Sequence, residues 1–462
     1  MSLKTPETVR KLQRAFYAKA KEQPSYRYHQ LYDKIYRRDI LNHAFWRCVA
    51  NCRDLASGGA AGVDGQTFEA IFEYGHERWL SELVEDLRKK GYQPEAVRRV
   101  WIRKANGGRR PLGIATIKDR VVQMAIVTVI EPIFEADLEP EQYGYRRGRS
   151  AQDAVRAVHR WLQQGYRDVI DADLSGYFDS IPHAELIQCV ARRISDREML
   201  ALIKRFLKAR VSDRNEPEQP DKPGAPEEGT PQGSPLSPLL ANLYFRRFIL
   251  GWKKLGLVER YQAHIVNYAD DFVVCCRNRA EEALVWVRAI VERLKLHINE
   301  SKTQIHRVPE ESIDFLGYTL GRCYSQRTGK SYIGTRPSKK KILQLCRNVS
   351  EETSRKWLLR SPEEMVRTLN RKLRGWSNYF CLGPVSPAYR AVDQHTRYRL
   401  RQWLRRKHQG QTRPGVMSFP DAYLYDSLGL VRLERRTRNF PWAKARIPCP
   451  RAGCRKTARP VR

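Results

Sequence analysis

Hydrophobic and polar positions change period several times along this chain, and each change predicts an element. The first 50 residues interleave basic and aromatic side chains, among them Tyr26, Tyr28, Tyr32, Tyr36 and Trp46, and read as helical. Short β-like runs between Val97 and Ile114 surround Asn106-Gly107-Gly108, a hairpin signal. Val121 to Leu138 has helical apolar spacing. An apolar entry, Val169-Ile170, then leads into Asp171-Ala172-Asp173; in a strand these two acids share a face, because side chains alternate with period two. Further on, Ile265-Val266 and Phe272-Val273-Val274 flank an Asp270-Asp271 pair, predicting a hairpin with acids at its turn. Near the end, Leu373, Trp376 and Phe380 fall at i, i+3 and i+7, the inward stripe of a helix. Asn215–Glu228, with four Pro and five acidic residues, reads as an exposed hairpin loop. The glycine-rich stretch from Ser57 to Gly65 is not a P-loop, since no Gly-Lys-Ser/Thr closes it. The chain has no internal repeats.

Composition narrows the class. The 462 residues suffice for two to four domains, and ten Trp, 22 Tyr and 14 Phe supply packed cores. No apolar run approaches the ~20 residues of a spanning helix, so no membrane partner is expected. The start carries no apolar signal region, the scattered cysteines read as reduced thiols, and the expected location is cytoplasmic, on bacterial nucleoid DNA. Cys449 and Cys454 would supply half a zinc site at most. A net charge of +34 makes nucleic acid the default partner. About +23 of it lies beyond Arg336, so a boundary is expected near Gly334-Thr335-Arg336-Pro337.

Paired carboxylates between apolar strands repel one another, and a hard divalent cation is the chemical reason to keep them together. Asp also favours turns, and either acidic segment alone is open to that reading. Their combination with six other motifs is not. Asp173 and Tyr268-Ala269-Asp270-Asp271 resemble the two acidic motifs of a reverse transcriptase palm, and the whole is most similar to the proteins encoded by bacterial group II introns. In chain order, residues 101–115 (WIRKANGGRRPLGIA) resemble the fingers motif and 142–154 (QYGYRRGRSAQDA) the next block. Gly229-Thr230-Pro231-Gln232-Gly233-Ser234-Pro235-Leu236-Ser237-Pro238 is similar to the nucleotide-pocket motif. Asn299 to Thr303, Phe315-Leu316-Gly317-Tyr318 and the thumb or maturase signature Leu369 to Phe380 complete the series.

The resemblance implies an α+β right hand: fingers, a ferredoxin-like antiparallel palm and an α-helical thumb. It implies an N-terminal extension and fingers over 1–165, palm over 166–335, helical thumb or maturase domain over 336–400, and a basic extension over 401–462. Its activity would be RNA-dependent DNA polymerisation with assistance to intron splicing. Two Mg²⁺ ions would be held by Asp173, Asp270, Asp271 and the Leu174 carbonyl. Spacing alone does not choose between Asp171 and Asp173; the family pattern does, because Phe178 follows Asp173 by five positions. Asp171 and Asp179 then orient neighbours. Phe178 would lie under the incoming sugar and exclude a 2′-hydroxyl. Lys104 and Arg110 would reach the triphosphate, Gln232 the nucleotide, and Lys302 would protonate pyrophosphate.

Arg146 and Arg149, the Phe315-Leu316-Gly317-Tyr318 grip, and Arg371, Lys372 and Arg374 are the expected nucleic-acid contacts. Arg397, Arg399, Arg401, Arg405, Arg406 and Lys407 would extend the thumb's basic surface. The expected partners are group II intron RNA or another structured template, a DNA primer or target, and deoxynucleoside triphosphates. No endonuclease domain is expected, as only His395 and His408 follow the thumb. Two other readings stay open: a non-enzymatic splicing maturase, and a reverse transcriptase serving defence or repair without an intron.

Overall fold

Helix Ile117–Glu135 sets the architecture, because it is apolar on almost every side and needs cover all round. Thr116 caps it by accepting from the Asp119 N–H, which starts the helix four residues before the apolar spacing predicts. The expected N-terminal helices, Glu7–Glu22 and Arg38–Ala50, pack against it and bury Val9, Ile40, Leu41 and Phe45. The computed structural model describes residues 4–52, 60–103, 109–212, 226–325, 328–408 and 418–436. Lys104, the Asn106 turn, most of the acidic 215–228 loop, Cys449 and Cys454 lie outside them. Among the described residues no helix is long and apolar enough to cross a membrane.

The chain divides into two units, Met1–Val308 and Pro309–Arg462. In the first, β1 (Val97–Arg103) and β2 (Arg109–Ile114) form the expected antiparallel hairpin. Strand β4 (Val211–Ser212) adds parallel to β1. The second sheet holds β3 (Asp168–Asp173), β5 (Ala263–Tyr268), β6 (Asp271–Cys276) and β7 (Gln304–Arg307) in the order β5-β6-β3-β7, all antiparallel. With helices Ser237–Lys254 and Ala280–Arg293 in its two crossovers, this is a ferredoxin-like palm. One face of the sheet is core: Ile170, Ala172, Phe272 and Val274 are fully buried there.

In the second unit, β8 (Ile313–Phe315), β9 (Tyr318–Tyr324) and β10 (Ser331–Pro337) make an antiparallel sheet in the order β10-β9-β8. Helices Lys339–Glu352, Pro362–Tyr379 and Ser386–Lys407 follow, the thumb expected from the signature. Leu373 and Phe380 face inward as the i, i+7 spacing predicts, beside Met365 and Leu369. Two expected boundaries move. The boundary expected near Gly334–Pro337 falls inside a strand, because β10 pairs with β9 through Pro337 and Ser338 immediately caps the next helix. Nor does a new segment start at residue 401, which lies inside the third thumb helix.

Candidate active site

Period-two alternation fixes where the acids point. Ile170 and Ala172 enter the core, so Asp171 and Asp173 take the opposite face of β3. The register pairs Asp173 directly with Asp271 across β3 and β6. Tyr268 pairs with Asp271 across the neighbouring hairpin, leaving Ala269 and Asp270 as a two-residue turn. Three carboxylates therefore gather at one end of the sheet. Ala269 has φ 60°, a positive value at the first central position, which suits the twist of a two-residue hairpin but strains a residue with a Cβ.

Residues outside the motifs hold that turn. The buried Asn267 donates from Nδ2 to the Ala269 carbonyl at 2.8 Å. Its own backbone exchanges hydrogen bonds with the chain at Glu141 and Tyr143, of 2.9 and 2.8 Å. Gly144 lies so close that a Cβ there would sit 2.4 Å from the Ala269 nitrogen, and Asn242 donates to the Gly144 carbonyl at 2.8 Å. The expectation for residues 142–154 had rested on the arginines. Its signal for the site was the lone small residue between two tyrosines.

On the other flank, the loop Asn299 to Thr303 clamps Asp173. The Asn299 N–H donates to the Asp173 carbonyl at 2.8 Å, and the Asp173 N–H donates to Thr303 Oγ1 at 3.3 Å. Lys302 Nζ lies 2.9 Å from Asp173 Oδ2. Leu174 and Ile298 form a bridge whose hydrogen bonds come from neighbouring groups, so the Leu174 carbonyl is not engaged in it.

The charges interact as their spacing demands. Burial beside the sheet end, then the charges of Asp270 and Asp173, push the Asp271 carboxyl up to about 6, opposed by Lys302. The residue still has open surface, so solvent moderates the effect. Among the described residues, no three acids, histidines or cysteines close into a preformed metal cage. The donor chemistry nonetheless fits a hard divalent cation. Three carboxylates share one sheet end, their repulsion calls for positive charge, and Lys302 is the one cation hydrogen-bonded to Asp173 among the described residues.

A stability effect follows from this burial and repulsion. Because the folded state raises the Asp271 pKa from 3.8 to about 6, metal-free stability should fall as pH rises through that interval and stay low above it. Asp271→Asn should remove the penalty. At pH 7.5 it should stabilise the metal-free protein by about 1 kcal/mol, or ~2 °C in Tm, with no gain at pH 4. Thermal melts of both proteins in EDTA at the two pH values check this; a variant that melts with wild type at pH 7.5 as well as at pH 4 would show that ionised Asp271 carries no such penalty.

The nucleotide-pocket motif lies against the motif of the first acid. The Thr230 N–H donates to the Phe178 carbonyl at 2.6 Å, and the Gln232 carbonyl accepts from the Gly113 N–H of β2 at 2.8 Å. A Cβ at Gly233, where φ is 110°, would meet the Gly113 carbonyl oxygen at 2.6 Å, so only glycine lets loop and strand meet this closely. Gln232 Nε2 donates to Asp179 at 2.8 Å, an orienting role for that acid. Phe178 is buried, and the exposed Tyr145 ring approaches it edge-on at 6.3 Å between centroids. Sequence reasoning had not singled out Tyr145. Lys104 and the Arg110 side chain lie outside the described residues.

Several expected nucleic-acid contacts are corrected. Arg146 is buried: its guanidinium grips both Glu135 oxygens and the carbonyls of Glu139 and Gln142, bracing the loop instead of reaching a phosphate. Arg149 bonds the carbonyls of Pro140 and Gln142 and lies over the Tyr143 ring. In the second unit, the Phe315 and Tyr318 rings are buried, because each flanks the turn on the inward face. Only Leu316-Gly317 comes to the surface, and Tyr379 holds it by donating to the Leu316 carbonyl at 2.9 Å. Lys372 is paired with Glu352 at 2.7 Å. Arg397 and Arg401 share Asp421, while Arg399 and Lys407 bond groups on neighbouring thumb segments. Arg371 and Arg374 remain exposed, as does Arg406.

Comparison with known proteins agrees with this geometry. Residues 102–320 match the reverse transcriptase (RNA-dependent DNA polymerase) family, and residues 342–418 match the group II intron, maturase-specific domain. Protein YkfC of Escherichia coli is 33% identical over 338 residues, 65% of this chain and 87% of that protein. The group II intron-encoded protein LtrA of Lactococcus lactis is 26% identical over 478 residues, 85% of this chain and 77% of that one. A chain from a partial Cas6-RT-Cas1–Cas2 complex superposes at a TM-score of 0.34 with 24% identity, over 58% of this chain and 44% of that one, too loosely to carry an argument. With palm acids, nucleotide-pocket loop and maturase helices all in place, the chain belongs to the group II intron-encoded reverse transcriptases with a maturase domain, which are RNA-directed DNA polymerases.

Proposed function

We propose that Asp173, Asp270 and Asp271 hold two magnesium ions and that the chain uses them to copy intron RNA into DNA from a DNA primer with deoxynucleoside triphosphates. The observation that carries this is the register. Asp173 stands directly opposite Asp271 with Asp270 at the adjacent turn, on the sheet end beside the loop that carries Lys302. Bound there, the two ions would activate the primer hydroxyl and neutralise the pyrophosphate leaving group. The Leu174 carbonyl is a candidate further ligand.

The protein's own groups do the rest. Gln232, aimed by Asp179, reaches the incoming nucleotide, and Lys104 and Arg110 of the fingers hairpin take its phosphates. Lys302, already at Asp173, exchanges that carboxylate for the pyrophosphate and gives it a proton. The Phe178 ring fills the space a 2′-hydroxyl needs. Leu316-Gly317 meets the primer strand, while Arg371 and Arg374, exposed on the thumb, track intron RNA during splicing. DNA of the bacterial nucleoid supplies the target.

Primer extension with deoxy- and ribonucleotides tests the reading. Phe178→Val should raise relative use of ribonucleotides about tenfold, equivalent to ~1.4 kcal/mol, and leave deoxynucleotide extension within a few-fold. Unchanged discrimination in an active variant would remove Phe178 from the sugar site.

A further inference from the structure

An open cavity of about 480 Å³ lies in the first unit, away from the palm acids. Its lining includes Lys204, Arg205, Lys208 and Arg210, and no carboxylate. Pro94 and Ala201 are among its apolar walls. The cations are gathered by the fold. Helix Arg197–Leu207 ends here, with Lys204 one turn from Lys208, whose N–H donates back to the Lys204 carbonyl. Arg210 follows at once, its carbonyl accepting from the Val97 N–H at 2.7 Å, the bond that begins the parallel pairing of β4 with β1. Arg205 is fixed by bonds of 3.2 and 3.3 Å to the carbonyls of Lys90 and Tyr92.

Two ordinary explanations fall short. Cations in a last helical turn complement the helix dipole, which accounts for Lys204 and Arg205. It reaches Lys208, the C-cap, but does not account for Arg210, two residues beyond it. A merely solvated basic face would pair its cations with nearby acids such as the exposed Glu95. Here, among the described residues, no carboxylate lies within ion-pairing distance of any of the four. Four like charges around one cavity repel unless a polyanion lies between them. The cavity has room for a phosphodiester with its sugar against the Pro94 and Ala201 walls.

We propose that this cavity, at the root of the fingers hairpin, binds the phosphate backbone of structured RNA outside the polymerase cleft. The proposal rests on the chain's membership among RNA-handling reverse transcriptases and adds a second contact to it. The occupant is RNA because the established template is RNA, and a long folded RNA can reach this site while a short primer-template occupies the cleft.

The test compares wild type with the Lys204→Gln, Lys208→Gln, Arg210→Gln triple variant. One probe is a transcribed group II intron RNA, bound at a series of salt concentrations; the other is poly(rA)/oligo(dT), extended with dTTP. Intron RNA affinity should fall at least tenfold near 0.1 M salt, and the slope of log affinity against log salt should shrink by about 2. Extension of poly(rA)/oligo(dT) should stay within twofold. The Lys204→Arg, Lys208→Arg, Arg210→Lys variant should bind as wild type does. Should the triple variant prove unfolded, a photocrosslinker attached at Ala201→Cys supplies the answer, since it should capture intron RNA. An unchanged slope in a folded variant, or a crosslinker that captures no RNA, overturns the proposal. Equal loss of affinity for a DNA duplex overturns the assignment to RNA. Wild-type extension of poly(rA)/oligo(dT) in the same assays keeps the polymerase reading separate from either result.

Discussion

Replacing Asp270 with alanine should lower Mg²⁺-dependent extension of a DNA primer on an RNA template by at least about a thousandfold. The protein should fold as before. Asp270 is exposed at a two-residue turn and contributes nothing to the core beneath β5 and β6. Its removal also takes away one of the two charges that raise the Asp271 pKa, so the metal-free variant should melt no lower than wild type. Intron RNA binding should remain within twofold, because neither the exposed thumb arginines, Arg371 and Arg374, nor the cavity lined by Lys204, Lys208 and Arg210 includes Asp270. That combination separates the two roles of the chain in one variant. A folded Asp270→Ala protein extending within tenfold of wild type would take Asp270 out of the catalytic set. A folded wild type that binds RNA with strong salt dependence and extends nothing would leave only the maturase.

The acids were legible in the sequence because alternation is a local rule. Asp171 and Asp173 had to share a face, and the apolar runs around Asp270-Asp271 had to form a hairpin. What no local rule gives is the partner strand. β3 pairs with β6 roughly 100 residues away, and only that register sets Asp173 opposite Asp271 instead of one pleat aside. The same limit explains the misread arginines. A guanidinium in a basic loop has the same sequence appearance whether it meets a phosphate or, as Arg146 does, a glutamate eleven residues earlier. Phe315 and Tyr318 were misread for a related reason. Their motif marks the turn correctly, but the β8–β9 register turns both rings inward, and Tyr379 and Phe380, some 60 residues later, cover the Tyr318 ring. The thumb boundaries slipped because charge changes abruptly near Arg336, whereas β10 and its hydrogen bonds do not.

Gly144→Ala is the sharper test of how the site is built, because it changes no group that touches substrate. The new methyl would lie 2.4 Å from the Ala269 nitrogen and 3.0 Å from the Tyr268 carbonyl carbon, both backbone atoms that cannot rotate away. Either the 141–145 segment or the hairpin tip must retreat by about 1 Å, and a shift of that size in a metal-ligand array costs ~100-fold in turnover. The segment is bonded at Glu141 and Tyr143, and Asn242 pins Gly144 itself, so the tip is the part that yields. Its strained Ala269 is the weakest point there. Activity should therefore fall about 100-fold, mainly in kcat, with Tm lowered by a few degrees, the usual cost of overpacking by one methyl. Adding Ala269→Gly, which relaxes the turn, should recover at least tenfold of the loss. Steady-state kinetics on poly(rA)/oligo(dT) with the three proteins decides the matter. Full activity in Gly144→Ala would show that the contact does not position the acids, and loss without recovery in the double variant would place the damage in the 141–145 segment instead of the turn.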